Sequence, residues 1–502
     1  MTLAGHELDG RARGVRAACS RLGGVAVLIL AAGAARGGDR PNIILCMADD
    51  LGWGSVGYNG SEVIATPHLD AMAREGVRFD RFYSAAPVCS PTRASCLTGR
   101  HPYRTGVFTA NAGILRPEEQ TIAEVLKAHG YATGHFGKWH LGTLSATEKD
   151  SNRGGPKHPE LFNPPWQHGF DVCFSTEAKV PTCDPMKRPA AFDDEGASLK
   201  FGWPRMEDDE TGLAYGTAYW NEEGERVSDD LDGDDSRLIM DRALTFIESA
   251  ASEERPFLAV IWFHAPHLPC VATKEYAAMY AQLGFEMQQY AGCITALDAQ
   301  VGRLRTVLKE LSIADETMLW FCSDNGPERG TPGETGGFRE RKRSLHEGGV
   351  RVPGLLVWPG KGYRAVVDTP VVTSDYLPTI LEALEIELEE GSGDLDGVSI
   401  LPLFEGRAIE RPAPIGFVSG NQIAWSGDRF KYYRKDGEEA LFDLTQDAHE
   451  ERDLSAAHPD LVEEMRARHA TWMRELQASF EGEHYGTTSF ERLGQSWPAL
   501  PR

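Results

Sequence analysis

Short apolar runs rich in β-branched residues alternate with helical patterns along most of this chain, and this alternation constrains the fold more than any other feature. Buried strands are predicted from such runs at Asn42–Ala48, Pro256–Phe263, Thr317–Ser323 and Gly354–Trp358, and a further strand near Tyr131–Phe136. Strands separated by helices are typical of a parallel sheet covered on both faces. The sequence therefore predicts an α/β fold in which helices sandwich a large, mostly parallel sheet.

Helix ends and apolar spacing locate several of the helices. Thr66-Pro67 and Thr121 are residues that begin helices, and Gly76 and Gly130 are residues that end them. Apolar residues at helical spacing from Tyr290 to Leu311 predict a longer helix.

The pattern changes after about residue 405. Short antiparallel strands are predicted at Asn421–Trp425, Phe430–Arg434 and Ala440–Leu444, and one helix from Pro459 to about Ala478. We therefore expect a catalytic α/β domain over residues 40–404 and a small α+β subdomain over residues 405–502.

The first 35 residues have the pattern of a secretory signal peptide. Four arginines precede an uncharged stretch, Leu22–Ala35, which ends in small residues. This predicts cleavage near Ala35 and an extracytoplasmic, secreted or periplasmic, location; the alternative is a buried helix that begins the fold. No apolar run reaches the roughly 20 residues of a membrane span, so no transmembrane segment is expected.

Charge and cysteine content limit the partners. The net charge of −24 argues against nucleic-acid binding, which needs a basic surface. Half of that charge lies in a segment at about 193–235, which has 15 acidic and 3 basic residues and is predicted to be an inserted surface segment. Eight cysteines remain after the signal, enough for four disulfides. Cys173 and Cys183 could close a loop, whereas Cys46 and Cys322 lie in strand-like runs where a free cysteine packs as a small hydrophobe.

Polar residues follow the predicted strands. Asp49 and Asp50 come after the first strand, and Asp324 and Asn325 come after Thr317–Ser323. Carboxyl ends of parallel strands meet at one edge of a sheet, so four oxygen-bearing side chains there predict a site for Ca²⁺ or Mg²⁺. The alternative is that these residues only cap helices or form loops.

Basic side chains are predicted at the same edge. His264 and His267 follow the strand at 256–263, and Lys138 and His140 follow the strand near 131–136. Such groups can hold an anion on a metal and protonate a leaving oxygen. A single histidine is more often structural, but two clusters and a lysine at one edge favour catalysis.

The segment Cys89-Ser-Pro-Thr-Arg93-Ala-Ser-Cys-Leu-Thr-Gly-Arg100 is the most specific motif. It resembles the signature of the type I sulfatases, which belong to the alkaline phosphatase superfamily. In that family the cysteine is oxidised after translation to formylglycine (3-oxoalanine), whose hydrate is the nucleophile. The resemblance implies a formylglycine-generating or anaerobic sulfatase-maturing enzyme as a partner during maturation.

The resemblance extends from about Pro41 to the C-terminal helix and implies a role for each candidate residue. The metal, calcium rather than magnesium, is expected on Asp49, Asp50, Asp324, Asn325 and the residue made from Cys89. Arg93 is expected to orient that residue and His140 to hold its hydroxyl. Lys138 and Lys342 are expected to bind sulfate. The histidine next to the leaving oxygen is His264 or His267, and Thr182 lies where some members place a serine near the nucleophile.

These inferences predict a sulfuric ester hydrolase that releases inorganic sulfate from a sulfated carbohydrate or an aryl sulfate. The alternatives are a phosphonate or phosphate ester hydrolase of the same superfamily, and an inactive metal-dependent binding protein in which Cys89 is never oxidised. We expect a pocket for one terminal sulfated sugar. The positive electrostatic field of this pocket must come from Lys138, the metal and the basic run at 339–343. Four aromatic residues of the acidic segment either stack on sugars or anchor that segment: Trp203, Tyr215, Tyr219 and Trp220.

Overall fold

An eight-stranded sheet lies at the centre of the fold in a computed structural model, which describes residues 40–190, 201–208, 210–388, 394–485 and 497–498. The predicted signal peptide and residues 193–200 of the acidic segment lie outside the described residues. No helix in the described part of the chain is long and apolar enough to cross a membrane.

The sheet combines seven strands of one direction with one reversed strand. The strands among the described residues are β1 Asn42–Ala48, β2 Val77–Phe79, β3 Phe82–Tyr83, β4 Ala132–Lys138, β5 Val172–Thr176, β6 Lys187–Arg188, β7 Leu213–Ala214, β8 Phe257–Trp262, β9 Thr317–Ser323, β10 Gly354–Val357, β11 Ala365–Val367, β12 Val371–Val372, β13 Ile415–Ser419, β14 Gln422–Ser426, β15 Phe430–Lys435 and β16 Glu438–Asp443. The large sheet has the order β11-β2-β10-β9-β1-β8-β4-β5, and β10 is antiparallel to both of its neighbours. The predicted mostly parallel sheet is confirmed, whereas the strands β2, β5 and β11 and the reversal of β10 were not predicted.

Helices cover both faces of this sheet. The helices are α1 Pro67–Glu75, α2 Cys89–Thr98, α3 Ile122–Ala128, α4 Asp235–Ser252, α5 Lys274–Ala278, α6 Phe285–Glu310, α7 Glu347–Val350, α8 Tyr376–Ala383, α9 Leu401–Phe404 and α10 Pro459–Phe480. Alternate residues of β1 enter two separate cores: Ile43 packs with α2, α3 and α8, and Ile44 packs with α1, α4 and α6. This alternation explains why β1 is apolar throughout rather than at every second residue.

The capping predictions are confirmed at α3. The Thr121 hydroxyl accepts a hydrogen bond from the Glu124 amide while the Glu124 carboxylate accepts from the Thr121 amide, a complete capping box. At α1 the helix begins at Pro67, but the Thr66 hydroxyl donates to Asp70 and accepts from the Gly57 amide instead of capping the helix.

The C-terminal region contains a separate four-stranded antiparallel sheet in the order β13-β14-β15-β16, with α10 packed against it. Three of these strands and the helix match the prediction within two residues, whereas β13 was missed. Phe417 and Tyr433 pack against Tyr83 and Leu345 and so join this small sheet to the α/β part of the chain. The boundary proposed near residue 404 stays a prediction.

All eight cysteines in the described part of the chain are free thiols and buried. The possible bridge between Cys173 and Cys183 is therefore not formed, and Cys46 and Cys322 pack in the core as expected for small hydrophobes.

Candidate active site

Strand register brings the predicted acidic residues together. Ala48 of β1 pairs with Ser323 of β9, so the next residues, Asp49 and Asp324, leave the sheet side by side. The Asp50 amide donates to Asp324 Oδ1 at 3.1 Å, and Asn325 Nδ2 donates to Asp50 Oδ1 at 2.7 Å. Asp50 adopts a left-handed backbone with a φ of 67°, which turns the chain sharply at this edge. All four side chains are buried.

These residues fit a hard divalent cation. Asp49 Oδ1, Asp50 Oδ2 and Asn325 Oδ1 are buried oxygens without a hydrogen-bond partner among the described residues. Buried polar atoms are normally satisfied, and a set of carboxylate and amide oxygens is what Ca²⁺ or Mg²⁺ binds. Burial and the neighbouring Asp49 carboxylate raise the pKa of Asp324 to about 7, so a bound cation would displace a proton there.

Cys89 and Arg93 enter the same cluster from α2. Cys89 is the first residue of this buried helix, and its sulfur lies within 4.8 Å of carboxylate oxygens of Asp49 and Asp324. One turn later, Arg93 donates to Asp324 Oδ2 at 2.7 Å and to the Lys138 carbonyl at 2.9 Å, with its guanidinium over the Trp262 ring. Burial raises the pKa of the Cys89 thiol.

Two lysines reach the cluster from opposite sides. Lys138, the last residue of β4, contacts Asp49 Oδ2 at 2.5 Å, and Lys342, from the loop before α7, contacts Asp50 Oδ1 at 2.5 Å. Burial disfavours the charged form of Asp49, yet Lys138 and His267 hold the pKa of this carboxylate well below its usual range. Burial also opposes the charge of Lys342, but Asp50 raises the pKa of that lysine. Each ammonium uses one of its three N–H donors on a carboxylate, which leaves donors for an anion.

The structure separates the two histidines that the sequence left as alternatives. His264 is fully buried, and its ring nitrogens contact Asp235 Oδ2 at 2.8 Å and Thr176 Oγ1 at 2.7 Å. His267 lines the cavity over the cluster, with Nε2 at 3.7 Å from Asp50 Oδ2 and Nδ1 bonded to the Leu268 carbonyl. Burial lowers the pKa of His267 to about 4 in spite of the nearby Asp49 and Asp50.

His140 also faces the cavity. Its Nε2 lies 2.8 Å from Asn111 Oδ1, and its Nδ1 has no hydrogen-bond partner among the described residues. Burial and the adjacent Lys138 lower the pKa of His140 well below its usual value, so the ring is neutral. The Thr182 hydroxyl is bonded at 2.9 and 2.7 Å to the backbone of Val271, and Thr182 is not among the residues that line the cavity, so its expected place near the nucleophile stays a prediction.

The cavity above these residues has a volume of about 1050 Å³. Its floor holds Cys89, Lys138 and Lys342. Its walls come from segments far apart in the sequence: Asn111 and Asn152, Trp203 and Tyr215, and the β13–β14 turn at 419–421.

The aromatic residues of the acidic segment divide between the two roles foreseen for them. Trp203 and Tyr215 line the cavity, whereas Tyr219 stacks on Phe174 with ring centroids 3.8 Å apart and Trp220 donates to Asp150 Oδ2 at 2.8 Å. The latter two therefore anchor the segment to the body. In the basic run, Lys342 and Arg343 face the cavity, while Arg339 and Arg341 donate to backbone carbonyls.

Sequence reasoning missed several residues that line the cavity, among them Asn111, Lys179, Arg188 and Glu328. Lys179 had a usable signal, since it follows β5 at the same edge as Lys138, but the strand at Val172–Thr176 was not assigned. Arg188 lies in the two-residue strand β6 and Asn111 in a turn, and the position of both depends on tertiary contacts.

This chain is similar to several known proteins. The family model described as Sulfatase matches residues 41–386. The chain is 32% identical to human N-acetylgalactosamine-6-sulfatase, over 74% of this chain and 67% of that protein, and 33% identical to mouse steryl-sulfatase, over 76% and 68%. Among solved structures, Ps i-CgsB in complex with k-i-k-neocarrahexaose aligns with a TM-score of 0.72 and 26% identity, covering 89% of this chain and 94% of that chain.

Proposed function

This chain belongs to the sulfatase family and is a sulfatase with the alkaline phosphatase-like fold, and we propose that it hydrolyses sulfate esters of sugars with a formylglycine made from Cys89 and a bound divalent cation. The observation that carries the proposal is the position of Cys89: it begins a buried helix, with its sulfur within 4.8 Å of two carboxylates of the cation cluster.

An unmodified cysteine is poorly suited to this position. Burial raises the pKa of the Cys89 thiol, although Lys138 and Lys342 act in the opposite direction, so the reactive thiolate is disfavoured. A formylglycine would supply a hydrated aldehyde as nucleophile, and a cation on Asp49, Asp50, Asp324 and Asn325 would stabilise charge on the sulfuryl oxygens. The oxygen-only ligand set favours calcium over softer metals.

The remaining residues hold the ester and move a proton. Lys138 and Lys342 keep free N–H donors that bind the sulfuryl oxygens and offset their charge in the transition state. Arg93 fixes Asp324 and the end of β4, and the neutral His140 ring is placed to accept a hydrogen bond from the nucleophilic residue through Nδ1. Of His264 and His267, only His267 lines the cavity, so it is the residue that donates the proton to the departing alcohol. Its Nδ1 is bonded to the Leu268 carbonyl, so Nε2 carries the proton that is transferred, and an anionic ester bound beside the ring favours this protonated form.

The lining of the cavity suits a sugar. The side chains of Trp203 and Tyr215 provide flat apolar surfaces beside polar Asn111 and Asn152, a combination that suits a sugar ring. Relatives named for a sulfated aminosugar and for sterol sulfates show that the family takes more than one kind of alcohol. We therefore propose exo-type desulfation of a sulfated carbohydrate, after export through the N-terminal signal and maturation of Cys89 by a formylglycine-forming enzyme.

Two measurements test this function. Mass spectrometry of the Cys89 peptide from cells that contain a maturing enzyme should show the mass loss from CH₂SH to CHO. The same preparation should hydrolyse an aryl sulfate faster than the matched aryl phosphate or phosphonate, and sulfated mono- or disaccharides faster than intact polymer per accessible ester. Preference for the phosphorus esters would support the alternative function, and conversion of Cys89 without hydrolysis of any ester would contradict both.

A further inference from the structure

The basic side chains that line the cavity fall into two groups. Lys138, Lys342 and Arg343 each contact a carboxylate, those of Asp49, Asp50 and Glu328 respectively, at 2.5 Å. Lys179 and Arg188 line the same cavity, and within the described ranges neither side chain forms an ion pair or a hydrogen bond.

Lys179 lies close to the sulfate-binding end. It is the third residue after β5, the strand next to β4 at the catalytic edge. Burial and the nearby ammonium groups of Lys138 and Lys342 lower its pKa. The side chain of Lys179 is exposed, so solvent screens this repulsion, and an anion bound in the cavity would offset it further.

Arg188 approaches from the wall that carries the aromatic residues. It pairs with Leu213 in the two-stranded sheet of β6 and β7, and the Tyr215 amide donates to the Met186 carbonyl at 2.9 Å, so this hairpin fixes Arg188 beside Tyr215. The guanidinium is half-buried and keeps its N–H donors available for an oxyanion.

We propose that Lys179 and Arg188 form a second anion subsite, which binds a sulfate ester or carboxylate of the substrate other than the ester that is cleaved. The inference rests on the proposed function and extends it: the preferred substrate carries at least two negative groups on one or two adjacent sugars. Three of the five cations are already neutralised by carboxylates, so a substrate with a single sulfate would leave charge on Lys179 and Arg188 uncompensated. The proposal also explains how a protein of net charge −24 favours a polyanionic ligand: the charge that recognises it is local.

The experiment compares kcat/KM of the matured enzyme on three matched disaccharides, which carry one sulfate, two sulfates, or one sulfate and one uronate carboxylate. Lys179→Ala and Arg188→Ala should lower the ratio of kcat/KM for a doubly anionic substrate to that for the singly sulfated one by at least about tenfold, the effect of losing one charge-assisted hydrogen bond. Lys179→Arg, which keeps the charge, should recover part of the ratio. Lys309→Ala and Arg468→Ala remove exposed cations that do not line the cavity and serve as controls for the loss of one positive charge.

Measurements at low and high salt separate contact from long-range attraction. If the second anion binds in contact with the subsite, most of the preference for the doubly anionic substrate persists at roughly 0.5 M salt. If the preference comes only from long-range attraction, it disappears as salt shortens the screening length. The substrate for which the ratio changes identifies the anion as sulfate or carboxylate. Unchanged ratios in both alanine variants, or a preference abolished by salt in the wild type, would overturn the subsite while the sulfatase assignment stands. A matured wild type inactive on all three sulfate esters would contradict the proposed function and, with it, this inference.

Discussion

Substituting His264 or His267 by alanine should have different consequences. Local sequence offers no reason to choose between His264 and His267, but their surroundings differ. His264 is fully buried and bonded at both ring nitrogens, whereas His267 has 16% of its side chain exposed and presents Nε2 toward the cation cluster. We expect His264→Ala to reduce stability and His267→Ala to reduce catalysis.

The magnitudes follow from the partners that each ring contacts. His264→Ala leaves the buried Asp235 carboxylate and the Thr176 hydroxyl each without one hydrogen bond, a loss of about 3 kcal/mol in the free energy of unfolding. His267→Ala breaks one bond to a backbone carbonyl and should cost only about 1 kcal/mol. Loss of the general acid should lower kcat roughly 10²- to 10⁴-fold when the leaving alcohol needs a proton.

The assay compares a sulfated sugar, which departs as a poorly stabilised alkoxide, with an aryl sulfate that carries a nitro group and leaves readily without a proton. His267→Ala should reduce kcat for the sugar at least tenfold more than for the aryl sulfate. His264→Ala should lower the melting temperature and reduce both rates by a similar factor. Rates are divided by the fraction of Cys89 converted, measured by mass spectrometry, because a less stable variant also matures less completely.

The reverse pattern would refute the reasoning. If His264→Ala removed sugar-sulfate hydrolysis selectively while His267→Ala slowed both substrates equally, His264 would be the proton donor, and the cavity seen here would not be the catalytic conformation.

Three further predictions concern the nucleophile, the cation and a buried ion cluster. Cys89→Ala should abolish turnover, and substantial activity in that variant would contradict the nucleophile assignment. Added Ca²⁺ should raise the melting temperature of metal-depleted wild type, by the roughly 3 kcal/mol that a ligand at 100 times its Kd contributes, but not that of Asp324→Asn; equal rises would place the metal elsewhere. Glu450 contacts Lys431 at 3.0 Å, and although burial opposes it, this lysine lowers the pKa of Glu450 to about 2. A carboxylate whose pKa is lowered by folding stabilises the fold at pH values above its pKa in the unfolded chain, and this stabilisation is lost as the pH falls. Urea unfolding at pH 7 should therefore show Glu450→Gln less stable than the wild type by on the order of 3 kcal/mol. The difference should shrink below about pH 4.5. A difference independent of pH would show that the carboxylate charge is not responsible.

Much of the fold follows from local pattern. A run such as Asn42–Ala48, apolar at every position, can only be buried on both faces, and it became the central strand β1. Capping residues located α3 to the residue, and apolar spacing located α6. The missed strand β13 pairs locally with β14 through a two-residue turn, but it contains Gly416, which lies against the Trp472 ring, so its own residues are a weak strand signal.

The sequence by itself determined the chemistry of the site. Asp49, Asp50, Asp324 and Asn325 follow apolar strands, and parallel strands in register must bring such residues to one edge, whatever the rest of the chain does. The motif that begins at Cys89 added the proposed nucleophile through its resemblance to a family. Local sequence suffices for these residues because strand direction and side-chain type fix both their place and their reactivity.

Only the tertiary structure decided which groups face the substrate. His264 and His267 are three residues apart, yet one contacts Asp235 from α4 and the other faces the cavity. Tyr215 and Tyr219 differ in the same way, because Tyr215 lines the cavity and Tyr219 packs on Phe174. Only the structure shows that Lys179 and Arg188 lack carboxylate partners among the described residues. Burial and pairing of a side chain depend on segments distant in the chain, and these contacts have no signature in the residues immediately around it.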